Sequence, residues 1–167
     1  MISIKSYDFP KVGLRNIKTA LAVSLCMIVS DLLGRESAFF ACIAAVFCMK
    51  DTVPSSVSMG KNRIIGTIIG GLIGIFVIYI SDLFPILYNL TPIVTGCGIV
   101  IVIYICTVIK RPGSVIISCI VFIGIMINYA TQVDSYSYAI NRSIDTAIGI
   151  LIAIFINKYL NPPKDKK

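Results

Sequence analysis

The chain has 167 residues, 57% of them apolar and only 14% charged, with a mean hydropathy of +0.92 and a formal net charge of +7. Soluble domains carry about 25% charged residues, and no soluble surface of this size absorbs so much Ile, Val and Leu, so the chain reads as an all-α integral membrane protein. It has no His and no Trp, which excludes histidine catalysis and histidine metal ligation.

Six apolar runs predict membrane-crossing helices at about 17–33, 37–50, 64–80, 91–109, 114–130 and 144–160. A perpendicular helix needs about 20 residues to cross the hydrocarbon. The last four runs come close, whereas Thr19–Leu33 and Ala38–Met49 are short. The first two join through the polar turn Leu33-Gly34-Arg35-Glu36-Ser37 and form either a transmembrane hairpin or a re-entrant pair. No linker or low-complexity stretch divides the chain, so one domain over 1–167 is expected. Pro162-Pro163 ends the last helix, and 161–167 forms a basic solvated tail.

The basic residues fall unevenly between the runs. The first segment, the second and fourth loops and the tail together hold 13, whereas the turn after the first run and the loop before the last hold only Arg35 and Arg142. By the positive-inside rule this puts both termini in the cytoplasm, with six spans. The net charge is therefore a topology signal and not a nucleic-acid footprint. Tyr79, Tyr88, Tyr129, Tyr136 and Tyr138 fall near the expected outer ends of runs, as an interfacial belt would. The six cysteines all lie in apolar runs without a C-x-x-C pair and read as small core residues.

Two segments repeat. Asn62-Arg63-Ile64-Ile65-Gly66-Thr67-Ile68-Ile69-Gly70 begins the third run, and Asn141-Arg142-Ser143-Ile144-Asp145-Thr146-Ala147-Ile148-Gly149 begins the sixth. Extended to 14 aligned positions, nine are identical. One copy starts at the cytoplasmic side and the other at the outer side, which predicts a 3+3 inverted repeat. Ser37–Ile43 and Ser114–Ile120 give a weaker echo, and runs one and four give no convincing match.

Gly66, Gly70 and Gly74 recur every fourth residue and mark one helix face suited to close packing in lipid. The matching face of the sixth run carries Asp145, Gly149 and Ala153. An intramembrane carboxylate is expensive, so Asp145 is a candidate coupling group, with Arg142 at i−3 as its expected partner. The same pair would otherwise only anchor the helix end. Lys18 and Arg63, with Thr67 beside the latter, either snorkel to headgroups or form an electropositive entrance for an organic anion. Asn128 is expected to bond Asp145 or its own helix, and Thr146 lies one residue beyond that carboxylate. No Walker loop, nucleophile elbow, paired catalytic carboxylates or zinc pattern is present, so no enzyme, cofactor or metal is expected.

Gly13-Leu14-Arg15-Asn16-Ile17-Lys18-Thr19-Ala20-Leu21-Ala22 resembles the opening of the aromatic acid exporter family, which is related to the fusaric acid resistance-like transporters. Ser58-Met59-Gly60-Lys61-Asn62-Arg63-Ile64-Ile65-Gly66-Thr67-Ile68-Ile69-Gly70 resembles its strongest motif. Arg142, Thr146, Gly149 and Asn157, followed by Pro162-Pro163, resemble the end of its membrane domain. The resemblance runs from about residue 11 to 163. It implies a bacterial inner-membrane efflux protein for aromatic carboxylic acids or similar organic anions. Many such relatives carry a further soluble domain or membrane half, so a homo-oligomer, a dimer, is expected. The competing reading is a non-transporting scaffold that recruits a partner or organises lipid.

Overall fold

In the computed structural model the described residues are 13–160, apart from 36, 85 and 132–133. The basic tail expected over 161–167 lies outside them. The described chain is helical, with no strand: α1 (Leu14–Leu32), α2 (Phe39–Cys48), α3 (Val53–Leu83), the single turn α4 (Ile86–Asn89), α5 (Thr91–Val108), α6 (Val115–Ala130) and α7 (Ser135–Tyr159).

Among the described residues, four segments are long and apolar enough to cross a membrane: Val53–Leu83, Thr91–Val108, Pro112–Ala130 and Tyr136–Tyr159. Helix α1 has 19 residues but carries charge at both ends, and α2 has only 10. Two expected boundaries move. α3 begins at Val53 and not near 64, and α7 begins near 135 and not at 144. In both cases a polar first stretch is still helical because it is capped. The Thr52 side chain accepts from the Ser55 N–H at 3.4 Å, with Pro54 in the first turn. The Asp134 carboxylate accepts from the Tyr136 and Ser137 N–H groups, each at 3.1 Å.

The Ser137 hydroxyl, followed by these N–H groups, holds the Asp134 carboxyl below the usual carboxylate range. A depressed folded value means the cap stabilises fully above the free carboxylate pKa of about 4 and is lost only as pH falls through the lower folded value. Asp134→Ala is therefore expected to speed amide exchange at Tyr136 and Ser137 at neutral pH, whereas Asp134→Asn leaves it near wild type. Equal exchange in both variants would show that the cap does not hold this turn.

Small residues line the contacts. α3 packs on α6 and α7, α2 on α7 and α1, and α5 on α6. A methyl group built on Gly70 would strike the Ser118 carbonyl of α6, and one on Gly149 would strike the Ala41 carbonyl of α2. These helices touch backbone to backbone. The buried positions keep the same spacing in three helix pairs. Ala22, Cys26 and Ser30 of α1 match Gly98, Val102 and Cys106 of α5. Ala41, Ala44, Ala45 and Cys48 of α2 match Ser118, Val121, Phe122 and Ile125 of α6. Gly66, Gly70 and Gly74 of α3 match Asp145, Gly149 and Ala153 of α7.

The turns after α1 and α5 also match. Gly34 (φ 62°) and Lys110 (φ 57°) both take the left-handed conformation. The next N–H reaches back to the helix in each, from Arg35 to the Ser30 carbonyl and from Arg111 to the Cys106 carbonyl, both at 3.0 Å. This is the Schellman closure, which glycine adopts freely and Lys110 adopts against its Cβ. Large apolar side chains such as Leu72, Phe76, Val100 and Leu151 point outward, as lipid-facing residues do.

Candidate functional site

Two clusters of buried polar side chains stand at opposite ends of α2. The first surrounds Asp145, which is 5% exposed. Its ion-pair partner is Arg35, on the turn between α1 and α2, through Arg35 Nε and Asp145 Oδ1. The second Arg35 nitrogen donates to the Asn141 backbone carbonyl at 3.2 Å and to its side-chain oxygen at 3.1 Å. The Arg142–Asp145 pair expected from the i−3 spacing is not formed. Arg142 lies with its guanidinium carbon 3.8 Å from the centre of the Phe40 ring and donates to the Tyr138 hydroxyl at 3.4 Å. A helix neighbour three positions away competes here with a guanidinium arriving from the α1–α2 turn, and the latter makes the ion pair. Arg142 is buried, and its Nε has no hydrogen-bond partner among the described residues.

These groups wall a cavity of about 570 Å³ that opens between the α1–α2 turn, α2, α6 and α7. That volume falls in the range of small-molecule sites. Asn128 faces it but spends its amide on its own helix, donating to the Gly124 carbonyl at 2.7 Å, and does not bond Asp145. Thr146 is buried one residue beyond Asp145 and does not line the cavity. The arrangement offers a guanidinium without a carboxylate, a second guanidinium held by one, and two aromatic rings.

The second cluster lies at the other end of α2. Lys18 is buried and donates to the Asn157 side-chain oxygen at 3.2 Å. The Asn157 amide donates to the Lys50 carbonyl at 2.9 Å and to Ser56 Oγ at 2.8 Å, and Ser56 Oγ accepts from the Lys50 N–H at 3.1 Å. This network satisfies the non-helical backbone between α2 and α3, which lipid could not. Lys18 is thus committed to the network and does not snorkel. Arg63 is also buried, with its guanidinium carbon 5.4 Å from the centre of the Phe47 ring, and among the described residues neither its Nε nor Thr67 Oγ1 has a hydrogen-bond partner.

The structure therefore brings Arg142 and Asp145 to one cavity and leaves Lys18, Arg63 and Thr67 at the opposite end. Sequence reading missed Arg35, Phe40, Tyr138 and Asn141. One signal was available, because Arg35 and Arg142 are the only basic residues that violate the charge asymmetry, and both line the cavity.

The sequence model of aromatic acid exporter family member 1 matches residues 10–160. UPF0421 protein YgaE of Bacillus subtilis is 27% identical over 154 residues, covering 92% of this chain and 41% of the relative. A UPF0421 protein of Halalkalibacterium halodurans is 24% identical over 155 residues, with 93% and 41% covered. Another from Oceanobacillus iheyensis is 26% identical over 157 residues, with 93% and 42% covered. The chain thus spans about two fifths of the length of these curated relatives. No solved structure matches it.

Proposed function

The chain belongs to the aromatic acid exporter family, and from that premise we propose that it exports small aromatic or amphipathic carboxylic acids, which bind in the cavity beside Arg142. The observation that carries this reading is the Arg142 guanidinium itself. It is buried on an aromatic face with an unsatisfied Nε and forms part of the wall of a cavity of ligand size. A planar guanidinium takes a carboxylate through paired hydrogen bonds, and the neighbouring rings of Phe40 and Tyr138 suit an aromatic body.

Asp145 is the coupling group in this proposal. While ionised it holds Arg35, and once protonated it releases a second guanidinium to the anion. The Gly66/Gly70/Gly74 and Gly149/Ala153 seams are the surfaces on which helices slide. The six helices α1, α2, α3, α5, α6 and α7 cross the plasma membrane as an inverted repeat, with the cavity outside and both termini cytoplasmic. The matching buried registers, the twin Schellman turns and the paired glycine–carbonyl contacts support the repeat. The basic asymmetry supports the orientation.

Flux of benzoate and hydroxybenzoates from reconstituted vesicles tests the activity. Arg142→Gln is expected to slow it by about 10–100-fold, the loss of one charge-assisted pair. Wild-type vesicles without flux, or undiminished flux in the variant, would reject the reading. For orientation, single cysteines in place of the exposed residues Asp82 and Asp134 should react with an impermeant thiol reagent from outside, and one at Ser55 should not. External labelling at Ser55 would reverse the topology.

A further inference from the structure

Arg63 is a buried cation that the cavity at Arg142 does not use. Among the described residues its Nε has no hydrogen-bond partner, nor does Thr67 Oγ1 one turn later, nor Ser114 Oγ, next in the chain to the Gly113 that shares a small cavity with Arg63. Buried unsatisfied polar groups are few in native proteins, and an unsatisfied guanidinium nitrogen beside a small cavity calls for an occupant. Their surroundings repeat those of Arg142. Asn62-Arg63 and Thr67 occupy α3 as Asn141-Arg142 and Thr146 occupy α7. Arg63 rests on Phe47 at one end of α2, and Arg142 rests on Phe40 at the other.

The two places differ in space. The cavity at Arg63 holds about 20 Å³ and the one at Arg142 about 570 Å³. Neither guanidinium has an ion pair among the described residues: Asp145 is held by Arg35, and Asp134, on the wall of the larger cavity, is taken up in capping α7. Buried charge without a counter-charge is costly, and an anion at either guanidinium relieves it.

We propose that Arg63, Phe47 and Thr67 form a second carboxylate subsite, the cytoplasmic counterpart of Arg142 and Phe40, shut in this conformation and opened when the outer one shuts. It takes the same ligand class, an aromatic monocarboxylate. Its place in a transport cycle rests on the exporter reading, whereas its ability to bind an anion does not.

The full chain in oriented vesicles, with benzoate as probe, tests this. Arg63→Gln is expected to raise the half-saturating benzoate concentration at the cytoplasmic face by about tenfold and to change the outer face by less than about twofold, with Arg142→Gln doing the reverse. Phe47→Leu, at a ring half exposed to lipid and so safe for folding, should raise only the cytoplasmic value, by about threefold. Equal shifts at both faces, or no cytoplasmic shift in Phe47→Leu and Arg63→Gln, would overturn the subsite. If the wild-type chain moves no benzoate, the exporter reading falls, and calorimetric binding to the purified chain decides the subsite. Residual benzoate binding in Arg142→Gln that disappears in Arg142→Gln/Arg63→Gln supports it. Binding lost in Arg142→Gln alone as fully as in the double variant overturns it.

Discussion

Gly70→Ala is expected to destabilise the folded helices by about 1–3 kcal/mol, while Gly71→Ala, one residue along, is neutral or stabilising by about 0.5–1 kcal/mol. The two glycines differ only in what they face. A methyl group at Gly70 meets the carbonyl of Ser118, and backbone cannot rotate out of the way as a side chain can. A methyl group at Gly71 meets nothing within 4 Å, so the ordinary helix preference for alanine prevails. Gly149→Ala, aimed at the Ala41 carbonyl, is expected to behave like Gly70→Ala. Thermal unfolding of the three variants in one detergent checks this. Indistinguishable midpoints for Gly70→Ala and Gly71→Ala would mean that α3 and α6 part easily and that the seam is not a packing surface.

Arg35→Gln is expected to cost about 3–5 kcal/mol, because it leaves the Asp145 carboxylate buried without its partner. The pair is well enclosed, with side-chain exposures of 16% and 7%. Arg142→Gln should cost less than about 1 kcal/mol, since the guanidinium it removes has only a ring and a tyrosine hydroxyl to lose. This order is the reverse of what an i−3 pair between Arg142 and Asp145 would give. Arg35→Gln/Asp145→Asn should recover most of the loss, because both halves of the charge are gone. Asp145→Asn alone should leave the chain folded and remove any pH dependence of benzoate flux. A double variant as unstable as Arg35→Gln would show that Arg35 acts through Asn141 and not through the carboxylate.

How much of this was legible follows from the range of each interaction. The period of four in Gly66, Gly70 and Gly74 is local, so the close-packed face could be read directly. Asp145 stood out because a carboxylate is rare in such a run. Its partner did not, because Arg35 lies 110 residues away in the chain and only the fold joins them. The start of α3 was missed because Ser55, Ser56, Ser58 and Lys61 lower the hydropathy without ending the helix. Similarity between α1 and α5 escaped residue matching for a related reason. Packing asks for small side chains at Ala22, Cys26 and Ser30 and at Gly98, Val102 and Cys106, but not for the same ones. Lys18 read as either a snorkelling cation or part of an anion entrance, because nothing nearby in sequence announced its bond to the Asn157 side chain.

The brevity of α2 has an electrical consequence. Ten residues rise about 15 Å, half of a hydrocarbon core of about 30 Å. Phe40 and Phe47, which carry the two arginines, are separated by only about 10 Å of that rise. The larger cavity stands at one end of this step and the smaller one at the other. A monovalent anion carried across the whole membrane from the Arg63 side to the Arg142 side in a negative-inside cell would gain about 2.3 kcal/mol per 100 mV, part of it on this short step. Export through this route would therefore be electrogenic, and its rate would steepen with hyperpolarisation.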